Sequence, residues 1–179
     1  MERPPDFNAV LAAAQRIRPH VHQTPVLTCR TLDRLTGCVV HLKCENLQKV
    51  GAFKARGASN AVLALDEGTA RRGVATHSSG NHAAALALAA QTRGIAAHIV
   101  MPRTAPPVKR AAVEGYGARI TTCEPTLAAR EEALAGVVAA TGATFVHPYD
   151  EPLVIAGQGT ASLELLTDVP ELEAVVGPV

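Results

Sequence analysis

The stretch GVATHSSGNHAAALALAAQTRGIAAHIVMP, residues 73–102, carries the pattern that decides the fold. Its beginning, GVATHS, consists mostly of small and branched residues and predicts a buried strand, and IAAHIVMP at its end predicts a second strand. Between them, the alanine-rich NHAAALALAAQTRG predicts a helix that ends at Gly94. A strand, a helix and a strand in direct succession are typical of parallel pairing, because the chain must cross back before the next parallel strand begins.

The same alternation continues toward the C-terminus. Helices are predicted in PPVKRAAVEGYG (106–117), TLAAREEALAGVVAATG (126–142) and PLVIAGQGTASLELLTDV (152–169), and strands in ARITTC (118–123), ATFVHP (143–148) and LEAVVGPV (172–179). This order favours an α/β fold with open, twisted parallel sheets and helices on both faces.

Toward the N-terminus the pattern is less regular. Helices are predicted at 7–18 and in RTLDRLTG (30–37), and short strands in TPVLTC (24–29) and CVVHLKCE (38–45). Domain edges are predicted near Arg72 and Pro152, on either side of the regular unit.

The composition disfavours several classes of function. With 47% hydrophobic and 18% charged residues, the 179-residue chain is expected to form a packed core. A net charge of +1 provides no field for nucleic acid or an anionic membrane surface. No apolar run approaches the roughly 20 residues that cross a bilayer, and the N-terminus lacks a signal-peptide pattern, so we expect a cytoplasmic protein.

Cysteine and histidine spacing does not predict a metal site. The chain has four scattered cysteines, Cys29, Cys38, Cys44 and Cys123. They form no C-x-x-C pair, so we expect free thiols in the core rather than a zinc ribbon or a redox dithiol. Four histidines lie in or beside predicted strands and are interpreted as core or edge residues rather than metal ligands: His41, His77, His98 and His147.

A lysine in NLQKVGAFKARGASN, residues 46–60, is the first candidate for chemistry. Lys54 stands at the predicted opening of a helix with Phe53 and small apolar residues around it, so burial should lower the pKa of its amine. A neutral amine is the nucleophile that Schiff-base chemistry requires. The alternative is an ordinary solvated surface lysine.

A polar run in THSSGNHAAALA, residues 76–87, is the second candidate. Ser78, Ser79, Gly80 and Asn81 lie between the predicted strand and helix, where free backbone N–H groups favour an anion such as a carboxylate. The alternative is plain capping of the helix by Ser or Asn.

Six motifs together resemble the pyridoxal-phosphate enzymes of fold type II, in the branch of the serine racemases and serine/threonine dehydratases. They are QKVGAFKARGASNAV, THSSGNH, HIVMPRTAP, YGARI, CEPTLAAREEA and VHPYDEPLVIAGQGT. The resemblance runs from about residue 25 to the last residue and keeps the order and spacing of the motifs.

The resemblance implies a role for each candidate. Lys54 would bind pyridoxal 5'-phosphate as a Schiff base and later remove the substrate α-proton, with Phe53 beside the cofactor ring and Asn81 hydrogen-bonded to its phenolic oxygen. The substrate carboxylate would be bound by a loop of Ser78, Ser79, Gly80, Asn81 and His82. Ser79 corresponds to a residue that exchanges a proton on the opposite face in racemases. Arg130 matches an arginine near the substrate, or is an exposed helix residue.

The implied activity is a dehydratase that converts L-threonine or L-serine, small hydroxy amino acids, to a 2-oxo acid and ammonia. The alternatives are a serine racemase, a bifunctional racemase/dehydratase, and a non-catalytic amino-acid-binding half-domain. A homodimer is expected for the full-length protein, without nucleic-acid or membrane partners.

The resemblance also indicates that this is the N-terminal part of the family's sequence. In the family, a glycine-rich phosphate loop follows a strand like VVGPV, and a divalent-cation site (Mg or Ca) lies in the C-terminal half. Residues 73–150 would form a small α/β domain, and residues 1–72 and 151–179 an incomplete part of a large one. The 179-residue chain alone is expected to be inactive and to bind the cofactor weakly.

Overall fold

The computed structural model describes residues 4–177, and strands and helices alternate along most of this range. The helices are α1 (Phe7–Ile17), α2 (Arg30–Thr36), α3 (Lys54–Ala64), α4 (Glu67–Ala70), α5 (Asn81–Arg93), α6 (Pro107–Gly115), α7 (Leu127–Thr141) and α8 (Pro152–Asp168). The strands are β1 (Val26–Thr28), β2 (His41–Lys43), β3 (Val74–His77), β4 (Ala97–Pro102), β5 (Arg119–Cys123) and β6 (Thr144–Phe145). Two short 3₁₀ turns, Glu45–Leu47 and Lys49–Gly51, precede α3.

Strands β3 to β6 form one parallel sheet in the order β5-β4-β3-β6. Successive residues of a strand point to opposite faces. Val74 therefore belongs to the apolar cluster that contains Leu86 of α5, whereas Ala75 belongs to the cluster that contains Leu134 of α7. Helices cover both faces of the sheet, which confirms the predicted fold class.

Helices α3 and α8 approach each other closely at two glycines. A Cβ atom added to Gly57 would lie 2.7 Å from the carbonyl oxygen of Val154, and one added to Gly157 would lie 2.6 Å from the Gly57 Cα. Any larger residue at either position would force the helices apart. Helix α3 also packs on α5, and Lys54 is its first residue.

The apolar core is continuous across the predicted domain edges. Ala58 of α3 and Val154 of α8 share one cluster with Val74 and Leu86. The division into residues 73–150 and the flanking segments 1–72 and 151–179 therefore stays a prediction.

Three details differ from the sequence-based expectations. Strands β1 and β2 pair antiparallel, with Val26 opposite Lys43, in a separate two-stranded sheet. The final predicted strand is wrong for residues 172–177, which join no ladder among residues 4–177; residues 178–179 lie outside the described part. An extended segment becomes a strand only where a neighbouring backbone supplies hydrogen bonds.

The third difference concerns the cysteines. All four are free, as expected, but Cys38 is exposed and the others are half-buried. The expectation of core thiols is therefore wrong, because the cysteines lie at element ends or in connections rather than inside the packed helices and strands.

Candidate active site

Lys54 lies at the N-terminus of α3 after an unusual backbone turn. Val50 and Gly51 both have positive φ, 57° and 69°. This conformation is strained for the β-branched Val50 and easy for Gly51. Two such residues in succession turn the chain sharply just before Ala52, so α3 begins at Lys54.

The amine of Lys54 is partly buried and held by a backbone oxygen. Its Nζ donates a hydrogen bond of 2.8 Å to the carbonyl oxygen of Pro148, 94 residues away in sequence. The same Nζ lies 5.1 Å from the centroid of the Phe53 ring. Burial lowers the pKa of Lys54 below its usual value, as the sequence predicted. The neutral, nucleophilic form is therefore more accessible than in a solvated lysine.

The loop at residues 78–80 joins β3 to α5 without a side-chain cap. Gly80 occupies the N-cap position, and no side chain accepts a hydrogen bond from the first turn of the helix. The Ser78 hydroxyl instead accepts the N–H of Gly80 at 3.2 Å, within the loop. The polar run therefore does not cap the helix through a side chain. The backbone N–H groups at the start of α5 are available to bind an anion. Ser79 is half-buried beside them, and Asn81 is exposed.

His82 turns its side chain into the protein rather than into the loop. It is 3% exposed. Its Nε2 lies 3.3 Å from the carbonyl oxygen of Val146. A carbonyl only accepts, so Nε2–H donates and Nδ1 is unprotonated, buried and without a partner among residues 4–177. Burial, with smaller effects from the charges of Lys54, His147 and His77, lowers the pKa of His82 to about 4. His82 is therefore a neutral residue beside Lys54.

Three further side chains lie at the same edge of the sheet. His77 ends β3, and its ring stacks on Phe145 of β6 at 5.9 Å. His147 follows β6 and contacts Phe145 edge to face at 5.6 Å. The pKa of His77 is lowered by burial and then by the positive charges of Arg130 and His147. Arg130 is half-buried and close enough to affect His77, so it is not simply an exposed helix residue.

One more cation lies near this loop, and the sequence pattern did not indicate it. A Cβ atom added to Gly80 would lie 3.9 Å from the Nζ of Lys109 in α6. The spacing of residues in the sequence could not predict this contact, because the complete strand β4 separates α5 from α6.

The described residues offer neither a metal site nor a membrane span. No group of three or more His, Cys, Asp or Glu side chains within residues 4–177 could hold a metal ion. In the same range, no helix has the length and apolar character needed to cross a bilayer.

Comparison with known proteins assigns the chain to a family. A family model described as pyridoxal-phosphate dependent enzyme matches residues 17–179. The chain belongs to this family. Its members depend on pyridoxal phosphate, which confirms the cofactor that was predicted from the sequence motifs.

Individual relatives agree with this assignment. The β-hydroxyaspartate dehydratase of Paracoccus denitrificans (strain Pd 1222) is 54% identical over 98% of this chain and 56% of that protein. The serine racemase of Arabidopsis thaliana is 49% identical over 97% of this chain and 53% of that protein. The structure of maize serine racemase superimposes with a TM-score of 0.93 at 48% identity, covering 94% of this chain and 51% of that one. The chain thus spans about half the length of the relatives it matches.

Proposed function

We propose that this chain supplies the catalytic lysine of a pyridoxal-phosphate-dependent dehydratase for a β-hydroxy amino acid. The expected substrates are L-threonine and L-serine, and the products a 2-oxo acid and ammonia. The observation that carries the proposal is the amine of Lys54, partly buried and bonded to the Pro148 carbonyl oxygen. The charge of Lys54 acts on His82, the second residue of α5, and no side chain within residues 4–177 caps the N–H groups at the start of that helix.

The residues present fit the cofactor. Burial lowers the pKa of Lys54, which favours the neutral amine that attaches to an aldehyde. Phe53, 36% exposed beside the amine, offers an apolar face to a flat ring. Asn81, exposed at the start of α5, can donate to an oxygen of that ring. When bound, pyridoxal phosphate draws electrons from the substrate Cα and so makes its α-proton acidic.

The protein groups then have separate tasks. The loop of Ser78, Ser79, Gly80, Asn81 and His82 binds the α-carboxylate through its hydroxyl and backbone N–H groups. This contact orients the α-proton toward Nζ of Lys54, which accepts it in the neutral form. Loss of the β-hydroxyl as water, followed by hydrolysis, balances the reaction to a 2-oxo acid and ammonia. The neutral His82 places no second positive charge beside the Lys54 amine.

A racemase is the second candidate, and Ser79 favours it. Its half-buried hydroxyl makes no hydrogen bond to other side chains within residues 4–177 that would occupy it. We infer from the racemase motif that it returns a proton to Cα from the side opposite Lys54. D-serine and 2-oxo acid should be assayed side by side. In Ser79→Ala, loss of D-serine with retained 2-oxo acid would assign racemisation to Ser79 as a secondary activity.

The substrate of the P. denitrificans relative is also a β-hydroxy amino acid, and β-hydroxyaspartate is therefore a third substrate to test. The reaction is the same, but the group on Cβ differs.

The decisive test uses the complete protein that contains this chain, loaded with pyridoxal phosphate. Lys54→Ala should reduce ammonia release from the preferred substrate at least about 10³-fold, because the base and the covalent anchor are both removed. Lys49→Ala, five residues earlier and outside the site, is the matched control and should keep its activity. Substantial turnover by Lys54→Ala would refute the proposal. Substrate binding without any turnover by the wild type would favour an amino-acid-binding half-domain.

We also propose a homodimer and a cytoplasmic location for the complete protein. Sedimentation of the purified protein and fractionation of cells would test these two expectations.

A further inference from the structure

A valine stands four residues before Lys54 in a backbone conformation that β-branched residues rarely adopt. Val50 has φ of 57° and ψ of 11°, and within residues 4–177 it is the only residue other than glycine with positive φ. It is the third residue of a turn that the N–H of Gly51 closes on the carbonyl oxygen of Gln48 at 2.8 Å. When this position has positive φ, glycine or asparagine normally occupies it. Valine is therefore strained here.

The next residue shows what this backbone selects when no side chain is needed. Gly51 has φ of 69°, and a Cβ atom added to it would meet only the Asn46 carbonyl oxygen, at 4.0 Å, among the residues of 4–177 that are not its chain neighbours. The conformation rather than a lack of space favours glycine there. Val50 has the same kind of conformation but carries an isopropyl group. What valine adds at this position is therefore its side chain.

The side chain of Val50 connects the turn to α5. It is half-buried and packs against the apolar cluster that includes Leu86 of α5. The Lys49–Gly51 turn as a whole also contacts α5. A glycine in place of Val50 would relax the backbone and remove this apolar contact.

Gln48 holds the turn from the other side. Its side chain is 3% exposed, and its Oε1 accepts the backbone N–H of His22 at 2.8 Å and that of Lys49 at 2.9 Å. Its Nε2 donates to the carbonyl oxygen of His22 at 2.6 Å. A strained backbone persists only where its surroundings fix it from several directions. Here the Gln48 amide and the packing of Val50 together provide that constraint.

Hydrogen bonds carry the constraint forward to Lys54. The N–H of Ala52 donates to the carbonyl oxygen of Lys49 at 3.5 Å, and the N–H of Ala55 donates to that of Ala52 at 3.2 Å. Ala52 is extended, with φ of −159°, and is 6% exposed. The chain between Val50 and Lys54 is thus bonded or buried, so a movement of Val50 over α5 would move the lysine with it.

We propose that Val50 is a positioning residue, whose strained backbone and contact with α5 together place the Lys54 amine against the Pro148 carbonyl oxygen. The inference rests on the proposed function for the role of Lys54 as base. The same contact keeps the lysine in a fixed relation to the start of α5, where the proposed carboxylate-binding loop lies. A glycine would form the turn more easily, but only an apolar side chain ties the turn to α5.

Kinetics and unfolding of the complete, cofactor-loaded protein separate positioning from stability. Val50→Gly should unfold in urea near the wild-type midpoint, because relief of the strain offsets the lost packing. It should nevertheless lower kcat about tenfold and change KM less than about twofold, since a displaced base weakens the reaction more than substrate binding. Val50→Ile keeps the branched apolar group and should retain kcat within about twofold. Val39→Gly is the matched control, because Val39 is 72% exposed and has no positive φ.

Structures of the cofactor-free protein provide a readout that does not depend on turnover. The distance from Nζ of Lys54 to the carbonyl oxygen of Pro148 is 2.8 Å. In crystals of Val50→Gly it should exceed about 3.5 Å, beyond the range of a hydrogen bond. The Val50→Ile protein should keep the bond. If Val50→Gly fails to fold, Val50→Asn replaces it, because asparagine also tolerates positive φ without supplying an apolar contact.

The results distinguish this proposal from the proposed function. A bond between Nζ of Lys54 and Pro148 that survives in Val50→Gly would overturn the role of Val50, and so would an unchanged kcat or an equal loss of kcat in Val50→Ile. A dehydratase would remain in each of these cases. Absence of turnover by the wild type would instead overturn the proposed function, and the distance between the two atoms would still decide whether Val50 positions the amine.

Discussion

His82 shows how one buried side chain links local sequence to pH dependence. It is the second residue of α5 and lies in the polar run that resembles a carboxylate-binding loop. Sequence placed it in that loop, and its backbone N–H is there. Its ring instead donates to Val146 and is 3% exposed, which no local pattern could indicate because Val146 is 64 residues away.

The pKa of His82 predicts a loss of stability in acid. The folded-state pKa is about 4, below the usual histidine value of 6.5, so the unfolded chain binds more protons between these values. Stability from the neutral ring is therefore complete above about pH 6.5 and is lost as the pH falls toward 4. The loss at pH 4 should be about 3 kcal/mol. Denaturant unfolding at several pH values measures it.

The control variant is His82→Gln, whose amide can donate to Val146 and does not titrate. Its unfolding free energy should fall less steeply than that of the wild type between pH 6.5 and 4. Parallel curves for the two proteins would show that His82 does not cause the loss.

At the scale of secondary-structure elements, glycines decide how closely α3 and α8 pack. Helix bounds were predictable: the predicted helix at residues 81–94 is observed as Asn81–Arg93, and Gly94 ends it with φ of 73°. The crossing of α3 and α8 was not predictable from the sequence. Glycine lowers helix propensity, so the presence of Gly57 and Gly157 inside helices is explained only by the close contact between them.

Gly157→Ala is expected to displace α8 from α3. Its Cβ would lie 2.6 Å from the Gly57 Cα and 2.7 Å from the Arg56 carbonyl oxygen, neither of which can move alone. The variant should lose about 2–4 kcal/mol of unfolding free energy, as overpacked cores do. In Gly136→Ala, the added Cβ would meet no atom of residues 4–177 within 4 Å apart from the neighbouring residues and backbone of α7 itself, so the variant should gain about 0.5–1 kcal/mol. Thermal unfolding measures the stability of both variants. Equal changes in stability would contradict a close contact between Gly57 and Gly157.

At the scale of the whole molecule, a buried ion-pair network joins segments that are distant in sequence. Arg56 is 0% exposed, and its guanidinium lies 2.8 Å from Glu45 and 2.7 Å from Glu164. Lys43 of β2 reaches Glu164 at 2.7 Å. The network connects the small antiparallel sheet to α3 and α8. Its central residue, Arg56, is two residues after Lys54 in α3.

Arg56→Met should destabilise the protein by about 3–5 kcal/mol, because Glu45 and Glu164 lose the cation that compensates their partial burial. Arg103→Met provides the comparison, since Arg103 pairs with Glu124 in an exposed salt bridge. That variant should unfold near the wild-type midpoint. Chemical denaturation distinguishes them, and a stable Arg56→Met would mean that the network is dispensable.

The sequence by itself determined the alternating α/β order, most helix and strand positions, the family and the candidate lysine. These depend on periodicity, on residues that end helices and on motifs, all of which are properties of neighbouring residues. Only the tertiary structure decided the partners. Lys54 meets Pro148 across 94 residues, and Arg56 meets Glu164 across 108. His77 contacts Phe145 because β3 and β6 are adjacent in the sheet, and His147 contacts the same ring. Strand order and helix crossings are set by contacts between residues that are distant in sequence. Local sequence patterns therefore do not predict these contacts.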